Sequence, residues 1–278
     1  MTATMQGTAD GTAAGTIRTG MGGWVYPPWR DNFYPAGLVQ KEELAYASRH
    51  VTMIEINGTF YRAPSAGTYA GWRAQTPEGF VFSVKAPRYI VEQRTLANAK
   101  TGIERFIRGG LAELADRLGP VLWQLSPRRA FDRDDIAAFM DLLPRQLDGQ
   151  PLRHVLEVRH DSFIDETYLA LVRERGIASV FTDSGDYPSF ADLSGDLVYA
   201  RLMRSRSDVA SGYPRTALAN WAKRAREWAQ GGEASGLPYI DPASAVVRRP
   251  RDVFIVFISA AKERNPAAAL ALKSLLAD

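Results

Sequence analysis

The feature that most constrains this chain is its rhythm. Eight short runs rich in Val, Ile and Phe recur along it, at 16–21, 51–56, 80–85, 121–125, 154–159, 177–182, 197–202 and 253–258. Each is strand-sized, and many are bounded by Gly, Pro or Asp, as buried strands are. Helical patterns fill most of the gaps. Thr101 with Glu104 reads as a capping box. Ile103, Phe106, Ile107, Leu111, Leu114 and Leu118 then share one face, with Gly109-Gly110 as a kink and Gly119-Pro120 as the stop. Asp132 opens a second helix, with Ile136, Phe139, Met140 and Leu143 inward and Pro144 at its end. Asp165 opens a third, closed at Gly176. Leu218, Trp221, Ala222, Ala225 and Trp228 mark another, and a last one covers 266–276. The connection between the sixth and seventh runs shows no helical pattern.

Strand–helix alternation implies parallel strands joined by right-handed crossovers, and eight such units favour closure. The expected fold class is α/β, a single (β/α)8 TIM-type barrel over 16–278, preceded by a disordered tail over 1–15. An open doubly wound sheet is the alternative. Gly20, Gly22 and Gly23 do close the first run, but they lead into Trp24, Tyr26 and a Pro pair rather than a helix. A dinucleotide fingerprint therefore fails on context.

Composition removes several chemistries. The chain has no Cys, which excludes disulfides, thiolate metal ligands and Cys nucleophiles and fits a reducing compartment. Its first fifteen residues lack the basic start and apolar run of a signal peptide, and the apolar run at 253–261 is too short to cross a bilayer. A cytoplasmic protein without a membrane partner is expected. There are three His, at 50, 154 and 160, and the first two fall at the N-terminal ends of strands. A zinc site of several His cannot be assembled from them, so neither a metal nor a cofactor is expected. A magnesium site from Glu55, Glu157 and Asp183 has no motif behind it.

Side chains of a barrel strand alternate between lumen and helix layer. On the fifth strand Leu156 and Val158 suit the helices, which turns Val155, Glu157 and Arg159 inward. The same parity turns Glu55 and Asn57, Ser83 and Lys85, Gln124, Asp183, and Tyr199 with Arg201 inward. These positions come late in their strands, where barrel active sites are built. Polar groups in a lumen are unfavourable unless paired, so their convergence is informative.

Several motifs together resemble a known family. They are GGWVYPPW at 22–29, FYP at 33–35, MIEINGTFYRAP at 53–64, GFVFSVKAP at 79–87, GPVLWQLSP at 119–127 and LEVRH at 156–160. In order and spacing, over roughly 16–277, they resemble the YecE-like family, domain of unknown function family 72. The resemblance implies a barrel fold and an unassigned biochemical role. It carries over to Trp24, Glu55, Asn57, Phe60, Tyr61, Lys85, Gln124, Glu157, Arg159, His160 and Arg201. The chain departs from the family's pattern after the third, seventh and eighth strands, where it reads Ile90-Val91-Glu92, Met203-Arg204 and Ser259-Ala260-Ala261-Lys262.

The expected function is a metal-independent hydrolase, lyase or isomerase acting on a small anionic, phosphorylated or carboxylated compound. Glu157, Lys85 and Glu55 are the catalytic candidates: Glu157 moves protons, with Glu55 as its partner, and Lys85 stabilises developing negative charge. Arg159 and Arg201 anchor the anion, with Arg204 and Arg206 beyond them. Trp24, Asn57, Tyr61, Gln124, His160 and Tyr213 complete the binding set, Tyr213 as part of a closing segment. Two alternatives stand beside this. One is a nucleic-acid-binding or repair accessory protein, which would use the basic pI of about 9.1, Arg248, Arg249 and Arg251, and the mouth aromatics. The other is a non-catalytic metabolite-binding protein.

Overall fold

The computed structural model describes residues 13–242 and 247–277. Eight strand positions form its centre: β1 Ile17–Gly22, β2 Met53–Ile56, β3 Val81–Lys85, β4 Leu118–Gln124, β5 His154–Glu157, β6 in two halves (Ala178–Ser179 and Phe181–Thr182), β7 Leu197–Leu202 and β8 Asp252–Phe257. All their pairings are parallel. The sheet runs from the first half of β6 through β5, β4, β3, β2, β1, β8 and β7 to the second half of β6. Both ends of that run belong to one strand, so the sheet closes on itself as a barrel. The seam is Val180, whose N–H still donates to the Leu156 carbonyl at 2.9 Å.

The helices surround this ring as α1 Glu43–His50, α2 Ala66–Gln75, α3 Arg88–Val91, α4 Lys100–Ile107, α5 Arg133–Asp141, α6 Glu166–Arg175, α7 Arg215–Ala229 and α8 Asn265–Ala277. Asp132 and Asp165 cap α5 and α6 through their carboxylates, each accepting two backbone N–H groups. Gly176 ends α6 in the left-handed region.

Two local expectations fail, each for a physical reason. The capping box does not form: Ala99 is the N-cap of α4 and makes no side-chain bond. A turn over Leu96–Asn98, pinned by Asp135 accepting from the N–H groups of Leu96 and Ala97, leads into the helix ahead of Thr101. Gly119-Pro120 stops no helix. The helix already breaks at Gly110 (φ 118°), a 3-10 turn covers Leu111–Arg117, and Gly119-Pro120 lie within β4. They sit where the β3–β4 register shifts between Phe82 and Val84, a bulge that accommodates a residue without an N–H. The glycine is needed there, because a Cβ on Gly119 would lie 2.3 Å from Val81 Cγ1 and 2.8 Å from the Phe82 carbonyl oxygen. Most of the expected tail, 1–12, lies outside the described residues; at its end the Gly15 N–H donates to the Ala229 carbonyl at 2.9 Å.

The parity argument holds for the strands. Met53, Val81, Leu122, Val155, Ala178, Val180, Leu197, Tyr199, Phe254 and Val256 form one buried cluster, the lumen. Their neighbours Ile54, Phe82, Val84, Trp123, Leu156 and Ile255 belong to the larger core under the helices. The N-terminal end of the lumen is plugged by Phe254, with the guanidinium groups of Arg18 and Arg153 over its ring and Asp252 paired to Arg153 at 2.8 Å. Arg251 is buried and donates to the carbonyls of Gly195, Gly231, Arg249 and Val247. It clamps the approach to β8 and presents no charge to solvent.

His154 lies in the outer core and fixes its own tautomer. Trp123 Nε1 donates to its Nδ1 at 3.0 Å, so Nε2 carries the proton and donates to the Pro144 carbonyl at 2.7 Å. Burial pushes its pKa down to about 4 from 6.5, against the raising effect of the Pro144 bond. The unfolded chain therefore takes up this proton at higher pH than the folded one. Stability contributed by neutral His154 is complete above about pH 6.5 and is lost as pH falls toward 4. The expected result is a urea midpoint clearly lower at pH 5 than at pH 7.5, with a smaller pH dependence in His154→Gln. Equal slopes in the two proteins would rule the assignment out.

Candidate functional site

Polar side chains meet at the C-terminal end of the lumen, one layer above the apolar fill. Arg201, from β7, is the hub. Its Nε and Nη2 hold both oxygens of Glu55 at 3.1 and 2.9 Å, and its Nη1 holds Glu157 Oε2 at 2.6 Å. Tyr199, two residues earlier on the same face, donates its hydroxyl to Glu55 Oε2 at 2.8 Å, and its oxygen lies 2.9 Å from Ser83 Oγ. Asn57 Nδ2 adds a bond to Glu55 Oε1 at 2.9 Å. Glu157 also accepts from Arg159 Nε at 2.6 Å and from Gln124 Nε2 at 2.9 Å. Gln124 in turn accepts from Lys85 Nζ at 2.7 Å through its Oε1. The relay from Lys85 through Gln124 to Glu157 thus joins three adjacent strands.

Charges in this layer do not cancel. Two carboxylates, Glu55 and Glu157, face three cations, Lys85, Arg159 and Arg201, which leaves one positive charge in excess when all are ionised. Burial alone would raise the Glu157 pKa, but Arg201 and Arg159 outweigh it and hold the carboxyl below its usual range. Burial likewise works against charge on Arg201, and Glu157 and Glu55 reverse it, so the guanidinium stays charged. Lys85 is different. Its ammonium makes no carboxylate contact within 4 Å among the described residues and sits 4.1 Å from the centre of the Phe60 ring. Burial, reinforced by Arg201, pushes it down to about 8.

The expected site residues separate under this geometry. Glu55, Lys85, Gln124, Glu157, Arg159, Arg201 and Asn57 are brought together. Arg201 is not an anion anchor, however, because its fork is taken up by Glu55 and Glu157 and its side chain is 3% exposed. Arg159 keeps Nη donors beyond its bond to Glu157 and stacks 4.2 Å over Tyr187. His160 stands beside it, half-buried, its Nδ1 2.8 Å from Ser162 Oγ. Tyr61 is 81% exposed, edge-on to Phe60. Tyr213 is no lid: it is buried in the outer core against Phe257, accepts from the Arg204 N–H at 2.7 Å and donates to Asp183 at 3.2 Å. Asp183 accepts from Tyr213 and the Met203 N–H and has no bond to the lumen network, so it leaves the inward set. Ala178 and Val180 are the lumen positions of β6, so alternation turns Asp183 the other way, toward Tyr213; the expected inward placement is one residue out of phase. Arg206 pairs with exposed Asp208.

Trp24 lines a neighbouring cavity of about 490 Å³ together with Ile56, Asn57, Trp72, Ile258 and Lys262. Trp72, Tyr187 and Lys262 were not among the expected site residues. Trp72 reads as ordinary helix core three residues after Tyr69, and Tyr187 lies in the connection that has no periodic pattern. Among the described residues no group of three or more His, Asp or Glu side chains could hold a metal ion. None of the described helices is long and apolar enough to cross a membrane.

A family model described as "Protein of unknown function DUF72" matches residues 18–278. The chain belongs to the DUF72 family. Two solved DUF72 structures are similar to it. The protein from Thermotoga maritima is 21% identical, with a TM-score of 0.71 over 95% of this chain and 100% of that one. The protein from Enterococcus faecalis is 17% identical, with a TM-score of 0.68 over 95% of this chain and 96% of that one. At these identities the likeness shows the fold. No curated protein matches. The YecE-like resemblance read from the motifs and the DUF72 match agree, and both leave the chemistry of the mouth to be argued from its residues.

Proposed function

We propose that the barrel mouth binds a small anionic compound and that Lys85 stabilises negative charge developing on it, in a reaction of the hydrolase, lyase or isomerase type. The observation that carries this reading is Lys85: a buried ammonium seated on an aromatic ring, bonded to a neutral amide and lacking a carboxylate contact among the described residues. A group so placed gains a partner only when an anion arrives. A pKa near 8 also lets it give or take a proton close to neutral pH. Arg159 supplies the anchoring donors. Glu157, buried and held ionised by two arginines, is better suited to orient Arg159 and Gln124 than to carry protons. Glu55 does the same for Arg201 and Asn57.

Binding without turnover is a second reading, favoured by the fact that Glu55 and Glu157 are both fully buried and fully bonded. Thermal-shift measurements with phosphate monoesters and short-chain carboxylates test the anion site. A ligand at about 100 times its Kd adds roughly 2.7 kcal/mol, or several degrees in Tm for a domain of this size. The shift is expected to disappear in Lys85→Met and to shrink in Arg159→Met. A shift unchanged in both variants, or none with any anion, overturns the proposal. Product formation from the binding compound separates turnover from binding alone.

A further inference from the structure

The cavity beside the polar layer is built for something other than a bare anion. Its walls are the indoles of Trp24 and Trp72, packed edge to face at 5.0 Å, with Ile56, Val25 and Ile258. Gly22, Gly23 and Gly58 line it without side chains, and its volume of about 490 Å³ falls in the range of small-molecule sites. Asn57 belongs to both places, lining the cavity while its amide bonds Glu55. The cavity therefore opens from the same mouth.

Polar groups on these walls are few, and most are already engaged. Asn265 accepts from Ser205 Oγ at 2.9 Å and donates to the Ser259 carbonyl at 3.4 Å. Lys262 is the exception. Its ammonium lies 4.4 Å from the centre of Tyr26 and 5.7 Å from that of Trp29, with no carboxylate within 4 Å among the described residues. The loop that carries it is held in an unusual shape. Ser259 and Ala260 both have positive φ, 62° and 45°, a conformation unfavourable for residues with a Cβ. Asn265, donating to the Ser259 carbonyl, and Ser205 Oγ, whose one proton is shared between Asn265 Oδ1 and the Ala261 carbonyl 3.2 Å away, maintain it. Two of the chain's six lysines thus stand at this mouth on aromatic faces, each without a carboxylate partner among the described residues.

We infer that the compound bound at the mouth is an aromatic acid, its ring seated between Trp24, Trp72, Ile56 and Ile258 and its acidic substituent facing Lys262 on one side and, across Asn57, Lys85 and Arg159 on the other. Indole walls favour a flat π-surface, and a half-buried cation without a carboxylate contact among the described residues favours an acidic substituent over a neutral one. The inference rests on the reading of the mouth as a small-anion site, and it narrows the substrate class.

The test uses phenyl phosphate and benzoate against inorganic phosphate and acetate. Affinity is read by calorimetry and by tryptophan fluorescence, on the wild type, Lys262→Met, Lys262→Arg and Lys85→Met. The ring-bearing anions are expected to bind at least about tenfold tighter than the ringless ones, the size of effect that one well-placed charge or apolar group gives. That advantage should vanish in Lys262→Met and survive in Lys262→Arg, which shows that charge and not folding is at issue. Equal affinity of phenyl phosphate and phosphate, both weakened by Lys85→Met, overturns the aromatic-acid inference and leaves the mouth anion site standing. Tight phenyl phosphate binding that needs Lys262 but ignores Lys85→Met keeps the ring site and overturns the proposed function. Tight binding indifferent to Lys262→Met overturns the inference, and no binding of any of the four overturns both.

Discussion

Arg201→Met is expected to lower stability more than any other single change in the polar layer, by about 3–5 kcal/mol, the range for removing one partner of a buried ion pair. At roughly 2–4 °C per kcal/mol for a domain of this size, that is a fall in Tm of about 6–20 °C. The reason is local. Glu55 and Glu157 are fully buried, and one guanidinium holds both oxygens of the first and one of the second. Without it two carboxylates share a low-dielectric lumen, with Arg159 reaching Glu157 alone. Arg201→Lys keeps the charge but not the fork, so it should recover only part of the loss. The deficit should narrow as pH falls from 7 to 5, because a carboxylate that has lost its counter-charge accepts a proton more readily. It should narrow too in Arg201→Met combined with Glu55→Gln. Denaturant titrations at both pH values make the comparison, and an Arg201→Met midpoint within error of wild type would sink the assignment of Arg201 as the hub.

The way this layer is assembled explains what could be read from the residues alone. Parity is reliable where a strand is regular and buried on both faces, as β2, β3, β5 and β7 are, and it puts Glu55, Lys85, Glu157 and Arg201 at one level without any coordinates. At β6 the phase itself is misread from sequence: Ala178 and Val180 face the lumen, so Asp183 turns to Tyr213 instead. Parity also says which residues meet but not which of them are already satisfied. Arg201 and Lys85 look alike in sequence as inward cations. Only the bond geometry shows that Arg201 is saturated by carboxylates while Lys85 is not. The cavity was the least legible part. Its walls come from the end of β1, from α2 and from the strained loop after β8, and no periodicity links Trp24, Trp72 and Lys262. The departures from the family's pattern at 259–262 do mark one of those walls.

Lys85→Met is expected to stabilise the protein, the opposite of what a structural ion-pair partner would do. Lowering an ammonium from 10.5 to about 8 corresponds to about 3 kcal/mol of unfavourable interaction in its charged form. The unfolded chain binds this proton more tightly than the folded one. Between about pH 8 and 10.5 the unfolded state therefore carries the extra proton, and stability rises with pH across that window. Below pH 8 the whole penalty is present, and above 10.5 it is gone. Methionine fills a similar volume without the charge. Removing the bond to Gln124 gives back about 1 kcal/mol, so the net gain at pH 7 should be roughly 1–2 kcal/mol, a few degrees in Tm. The gain should fade as pH approaches 10.5. Anion binding should show the complementary dependence: an anion that pairs with Lys85 raises its pKa, takes up a proton on binding above pH 8, and binds more weakly as pH rises further. Wild type and Lys85→Met compared by urea denaturation at pH 6, 7.5 and 9.5 decide the matter. A variant less stable than wild type at pH 6 would mean that Lys85 is a satisfied member of the network, and the proposed function would then lose the cation that carries it. A variant more stable at pH 6 and unable to bind anions would show a barrel that gives up stability to keep a charged amine ready at its mouth.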